Sequence, residues 1–165
     1  SPKDVRDEFG KKIKFILNGG SSKIGLESTI VNLVKKPEIL RYGGIEIEKI
    51  SKALNMKVKF NPSINKIRAP GQRKIHYSPY LPIRLNVKKP FKNEAFLLIK
   101  KRKYKNKNHF YLTKNKNLSE AGRNLYKTLR QIKKLNYKKI SVESIPKKGL
   151  GLTINDRLNR ASNKK

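Results

Sequence analysis

The sequence predicts an α/β protein in two pieces joined by a proline-rich connector. Three observations lead there. Short apolar and β-branched runs alternate with segments of helical spacing, first over residues 1–57 and again over residues 86–165. Between them, over residues 58–85, Pro62, Pro70, Gly71, Pro79 and Pro82 break any helix or central strand. The most regular segment, Leu118 to Leu135, places Leu118, Ala121, Leu125, Leu129, Ile132 and Leu135 on one helical face.

Taken in order, Ser1-Pro2 supplies a capping hydroxyl and a proline suited to a first helical position. Asp4, Asp7 and Glu8 lie in the half of that helix that favours anions, and Gly10 ends it. Ile13 to Leu17 reads as a buried-type strand closed by the Asn18-Gly19-Gly20 turn. Ser28 to Val34 and Glu38 to Arg41 read as two strands joined at the Pro37 turn, followed by a helix from about Ile45 to Leu54. A layer this small leaves unpaired edges and buries too little to stand alone. In the second piece, Ile83 to Val87, Ala95 to Ile99, His109 to Thr113 and Ile140 to Ile145 read as strands. Lys100 to Asn108 is most simply a solvated hairpin tip. Gly149 to Ala161 turns into a final helix. Strand, glycine loop and helix in that order can hold a phosphate, but with Gly149 and Gly151 alone a tight turn is the simpler reading. The second piece is expected to be a small Rossmann-like domain of three layers.

The polar cargo of the first piece stands at its strand ends. Glu27, Ser28 and Thr29 put a carboxylate and two hydroxyls at the mouth of one strand, and Arg41 puts a forked guanidinium at the exit of the next. Such a set suits a ligand bearing both carboxylate and phosphate. On spacing alone the plainer reading is favoured: Ser and Thr cap the strand mouth and Arg41 is solvated. In the connector, Arg68 to Pro79 gathers His76, Tyr77 and arginines between prolines and reads as a lid over a site; the alternative is a solvated spacer.

Lys and Arg number 42 against 11 Asp and Glu, a formal net charge of +31 that favours polyanionic partners. Lys far outnumbers Arg and comes with abundant Asn and Ile, so a bias spread along the chain is preferred over a patch built for one ligand. The absence of Cys excludes disulfides and thiolate metal sites, and two His make a histidine-built metal centre a poor reading. The longest apolar run, Ala95 to Ile99, is too short to span a bilayer. With no membrane partner and no signal peptide, a cytoplasmic protein is expected.

Three groups of residues, in order, resemble one family. Asn18-Gly19-Gly20, Gly25-Leu26-Glu27-Ser28-Thr29-Ile30-Val31 and Leu40-Arg41-Tyr42-Gly43 resemble the closing half of a YrdC-like domain, the catalytic unit of threonylcarbamoyl-AMP synthases. Ala69-Pro70-Gly71 and His76-Tyr77-Ser78-Pro79 resemble the linker of the longer, two-domain members. Asn124 to Arg130, with Gly149 to Ala161, resembles their C-terminal appendix domain. The resemblance implies a nucleotidyltransferase that joins L-threonine, bicarbonate and ATP into threonylcarbamoyl-AMP and pyrophosphate, for modification of an adenosine beside the anticodon of tRNA. It implies Ser28 on threonine, Arg41 and Tyr77 on the nucleotide, and supporting roles for Thr29 and His76. ATP would enter as a substrate with Mg on its phosphates, with no metal held by the chain itself. The implied partners are the tRNA-modification machinery, tRNA, and a separate N-terminal half.

The chain departs from the family pattern in three places. Tyr42 stands where a proline is usual, Ile75 replaces an aromatic before His76, and no acidic, alanine-rich lead-in precedes Asn124. The family's Lys/Arg pair and Ser-x-Asn segment, which belong to the first half of the catalytic domain, have no counterpart in these residues. Losing one preorganised donor costs about 3–4 kcal/mol of transition-state stabilisation. The expectation is therefore an N-terminally truncated chain that is inactive alone. The alternatives are a basic tRNA-binding module without catalysis and a non-functional remnant.

Overall fold

The computed structural model describes residues 2–20, 22–34, 36–61, 67–72, 81–104 and 106–163. His76 and Tyr77, and most of the expected lid, lie outside the described residues. Helix α1 (Pro2–Phe9) is followed by a 3-10 turn over Gly10–Lys12, where Gly10 takes φ +52°. Strands β1 (Ile30–Asn32) and β2 (Glu38–Arg41) pair antiparallel, as expected for a hairpin around Pro37. Helix α2 (Ile47–Ala53) then carries the chain over to β3 (Lys59–Phe60), which pairs parallel with β2. Strand β3 was not expected, since two residues give no periodicity to read.

The expected strand over Ile13 to Leu17 is not formed. Phe15 is 87% and Leu17 is 96% exposed, and no described strand pairs with them. A strand exists by exchanging backbone hydrogen bonds with a neighbour, and apolar composition alone cannot supply one. The first sheet is therefore three-stranded, β1-β2-β3.

The second sheet holds β4 (Ile83–Arg84), β5 (Glu94–Lys100), β6 (His109–Thr113) and β7 (Lys139–Val142), in the order β4-β7-β5-β6 and all parallel. Parallel pairing overturns the hairpin tip. Phe96 faces His109 and Lys100 faces Thr113, so the chain leaves one end of β5 and re-enters β6 at the other. The connection from β5 to β6 is therefore a crossover. Lys101 N–H donates to Thr113 O at 3.1 Å at one end, and Asn108 Nδ2 donates to Glu94 O at 3.0 Å at the other.

Helix α3 (Leu118–Lys134) returns the chain from β6 to β7. Its N-cap Asn117 accepts from Glu120 N–H at 3.0 Å. The steps β5 to β6 and β6 to β7 travel in opposite directions along the sheet, so right-handed crossovers place them on opposite faces. Helix α4 (Leu150–Ser162) packs against α3, and both feed one core with Leu97, Leu112, Ile140 and Val142. The expectation of an α/β domain holds. Its third layer is a different matter, because both helices share one face and, among the described residues, the opposite crossover has no helix. Strand β5 is buried on both sides, with Phe96 and Leu98 below 5% exposed.

Candidate functional site

The segment from Gly25 to Gly43 is held by side chains that converge from three parts of the chain. Arg41, at the end of β2, is 8% exposed. Its Nε and Nη2 donate to Ser28 O at 3.2 and 2.9 Å, Nη2 also donates to Ser28 Oγ at 3.2 Å, and Nη1 donates to Pro70 O at 3.0 Å. Ser28 and Arg41 are thus brought together, and the solvated arginine favoured on spacing alone is not what forms. Thr29 Oγ1 donates to Ile45 O at 2.6 Å and accepts from Ile45 N–H at 3.1 Å, so its hydroxyl fastens the entry of α2.

Gly43 has a steric reason for being glycine. A Cβ there would lie 2.2 Å from the carbonyl carbon of Ser28 and the nitrogen of Thr29. The backbone after β2 crosses the mouth of β1 at a distance that excludes every other side chain. Gly44 N–H donates to Glu27 O at 2.7 Å and completes the crossing.

The Ala69-Pro70-Gly71 turn docks on the same strand. Gln72 is buried; its Nε2 donates to Leu40 O at 3.0 Å, and its Oε1 accepts from Arg68 and Ala69 N–H at 2.7 and 3.0 Å. Glu38 gathers Asn32, Asn61 and Arg68. Hydrogen bonds from Asn32 first, then from Arg68 and Asn61, hold its carboxyl down at about 2.

The third contributor is α4, through Thr153, Arg157 and Arg160. Thr153 Oγ1 donates to Gly43 O at 2.9 Å. Arg157 is 1% exposed, yet donates from Nη2 to Tyr42 O at 2.7 Å and from Nε to Glu27 Oε2 at 3.0 Å, and it pairs with Asp156. Tyr126 OH of α3 donates to the same Glu27 carboxylate at 3.3 Å. Arg160 bonds Asp156 and donates to Gln72 O at 2.9 Å. A buried guanidinium persists when its donors are met by charge and carbonyl, and here they are.

Sequence reasoning named Glu27 and quoted the α4 segment, but gave Thr153, Arg157 and Arg160 no role. The signal lay in their spacing. They sit at i, i+4 and i+7 beside the apolar row Leu150, Ile154, Leu158 and Ala161, a polar stripe on a helix face that packs inward. The glycine loop before α4 holds the chain's own anion: Gly149 N–H donates to Glu48 Oε1 at 3.3 Å.

Tyr42, where the family pattern has proline, stacks on Phe60 with ring centroids 4.0 Å apart. Burial, with the Asp156 and Glu48 carboxylates, pushes its phenol above the usual range. The pair lines a cavity of about 330 Å³ with Leu85, Asn86, Lys147 and Asn159. A larger cavity of about 950 Å³ lies between α1, the Gly20–Gly25 loop and α3. Neither is lined by Ser28 or Arg41. Among the described residues, no group of three or more His, Asp or Glu is placed to hold a metal ion, and no helix is long and apolar enough to cross a membrane.

The family model described as threonylcarbamoyl-AMP synthase, C-terminal domain, matches residues 45–163, most of the chain. The chain belongs to the threonylcarbamoyl-AMP synthase family. A second family model, described as telomere recombination, matches residues 1–43. The threonylcarbamoyl-AMP synthase of Pyrococcus abyssi is 32% identical over 179 residues, covering 96% of this chain and 52% of that protein. The threonylcarbamoyl-AMP synthase of Schizosaccharomyces pombe is 36% identical over 100 residues, covering 52% of this chain and 23% of that one. The chain therefore spans about half the length, or less, of these relatives. Among solved structures, P. abyssi Sua5 complexed with L-threonine superimposes with a TM-score of 0.82 at 30% identity, over 98% of this chain and 53% of that one. A variant of P. abyssi Sua5, with an adjacent histidine and tyrosine changed to alanine, gives 0.67 at 26% identity, over 87% and 47%.

Proposed function

We propose that this chain contributes to threonylcarbamoyl-AMP synthesis from L-threonine, bicarbonate and ATP, for tRNA modification. The observation that carries the reading is the Ser28–Arg41 contact, inside a chain whose fold follows a threonine-bound relative over nearly its whole length. In this reading the Ser28 hydroxyl meets threonine, and Arg41 holds that hydroxyl and the Pro70 carbonyl in place. Among the described residues, four of the five Arg41 donors are spent on Ser28 and Pro70, which leaves one Nη1–H for the nucleotide. Thr29 supports the site by fixing Ile45; the nucleotide role of Tyr77 and the supporting role of His76 rest on the family resemblance alone. Mg²⁺ would arrive with ATP as part of the substrate.

Fixed positive charge at the phosphates is what adenylyl transfer needs, and a carbamate intermediate needs water kept out. The resemblance puts the remaining cations, a Lys/Arg pair, in the portion of the relatives that this chain does not span, and on that reading residues 1–165 alone would not turn over. The test is pyrophosphate release by a chimera in which that portion of the P. abyssi relative precedes residues 1–165. Release that requires both L-threonine and bicarbonate is expected. A folded chimera that releases none, or releases it without threonine, would refute the proposal.

A further inference from the structure

Helix α3 has two faces of opposite character. Ala121, Leu125, Leu129 and Ile132 are buried in the core, while Arg123, Lys127, Arg130 and Lys134 are exposed on the outer side. The four cations recur at i, i+4, i+7 and i+11, one per turn of a single stripe about 16 Å long. The stripe forms one wall of the cavity of about 950 Å³, opposite Gly20 and Gly25. The loop lies hard against the helix there, since a Cβ on Gly25 would stand 2.5 Å from Arg123 Cα.

The two ends of the stripe are treated differently. Arg130 Nε meets Asp4 Oδ1 at 3.0 Å and Lys134 Nζ meets Asp7 Oδ2 at 3.7 Å, both across the groove from α1. These pairs are exposed, the side chains being 32 to 65% accessible, so they are weak and open to competition. No ion pair ties Arg123 or Lys127 among the described residues.

We infer that the outer face of α3 is a binding surface for an RNA phosphate backbone, with α1 lying across its C-terminal half as a built-in competitor. A row of cations at one-turn intervals in an open groove suits a run of phosphates. A protein partner would need a desolvated apolar centre, and most side chains lining this groove are charged or polar, with only Tyr126 and Leu135 as large apolar ones. The inference deepens the tRNA-modification reading, on which the identity of the RNA rests. The spread of positive charge along the chain makes a charge-matched control necessary.

The experiment measures binding of a fluorescein-labelled tRNA transcript by anisotropy over a range of salt, without ATP or threonine. R123E/K127E is expected to bind at least about tenfold more weakly near physiological salt, and to lower the slope of log K against log salt by about 1.4 to 1.8. K88E/K89E, on the loop after β4, makes the same change in net charge and is expected to bind nearly as the unaltered chain. D4N/D7N is expected to bind more tightly. R123Q/K127Q, which adds no carboxylate, serves if the reversal fails to fold. Equal weakening by R123E/K127E and K88E/K89E, or no binding at low salt, would overturn the surface; unchanged affinity in D4N/D7N would overturn the role of α1. Because no substrate of the adenylation is present, failure here leaves pyrophosphate release untouched, and the reverse holds equally.

Discussion

Replacing Arg157 by methionine removes the cation that ties α4 to the Gly25–Gly43 segment. The change keeps an unbranched apolar stem, so packing loss is small and polar loss dominates. Bonds to the Glu27 carboxylate at 3.0 Å and to Tyr42 O at 2.7 Å cross the junction. Each hydrogen bond to a charged group contributes about 1.5–3 kcal/mol. Glu27 is 32% exposed, so water recovers part of its side of the loss. Breaking a buried ion pair by removing one partner costs about 3–5 kcal/mol, and the exposure of Glu27 places this one toward the lower end. For a chain of this size each kcal/mol shifts the melting temperature by about 2–4 °C, so a fall of about 6–12 °C is expected in a thermal melt followed by circular dichroism. Glu27→Gln keeps an acceptor in place and should cost less. The double variant should fall short of the sum of the single costs by about 1 kcal/mol or more, because the two residues share one contact. A melting temperature within about 2 °C of the unaltered protein, or strict additivity, would refute the argument.

Three further outcomes follow from the same geometry. Gly43→Ala forces a methyl into the Ser28–Thr29 backbone and should destabilise the chain by about 1–3 kcal/mol or more, read from urea midpoints. The Glu38 carboxyl is held down at about 2 from an ordinary 4.5, so its contribution is full above the unfolded value and lost as pH falls through the folded one. Melts between pH 5 and 2 (a range of about three units) should therefore decline less steeply in Glu38→Gln. Burial, aided by the Arg102 charge, lowers His109, so its ring protons should titrate below the usual imidazole midpoint in an NMR pH series.

What could be read in advance depended on whether the signal was local. Leu118 to Leu135 carries six apolar residues on one helical face, and the helix forms within a residue of that span. His109–Thr113 was legible in both bounds, as a run of β-formers closed by polar residues. The order β4-β7-β5-β6 was not legible, because eight residues between two strands serve a turn or a crossover equally well, and only pairing decides. Ile13 to Leu17 misled for the same reason. Its composition is that of a strand, but a strand needs a neighbour. The Ser28–Arg41 contact was not legible from spacing, which favours a solvated Arg41, and the Arg157–Glu27 pair joins residues 130 apart and leaves only a helical stripe in the sequence.

Arg41 is proposed to position the Ser28 hydroxyl for threonine, and kinetics of Arg41→Lys in the chimera test that most directly. A lysine keeps the charge but cannot reach Ser28 and Pro70 together, so kcat/KM for L-threonine should fall at least about tenfold in a protein that melts cooperatively. Unchanged kinetics in a folded Arg41→Lys variant would contradict it.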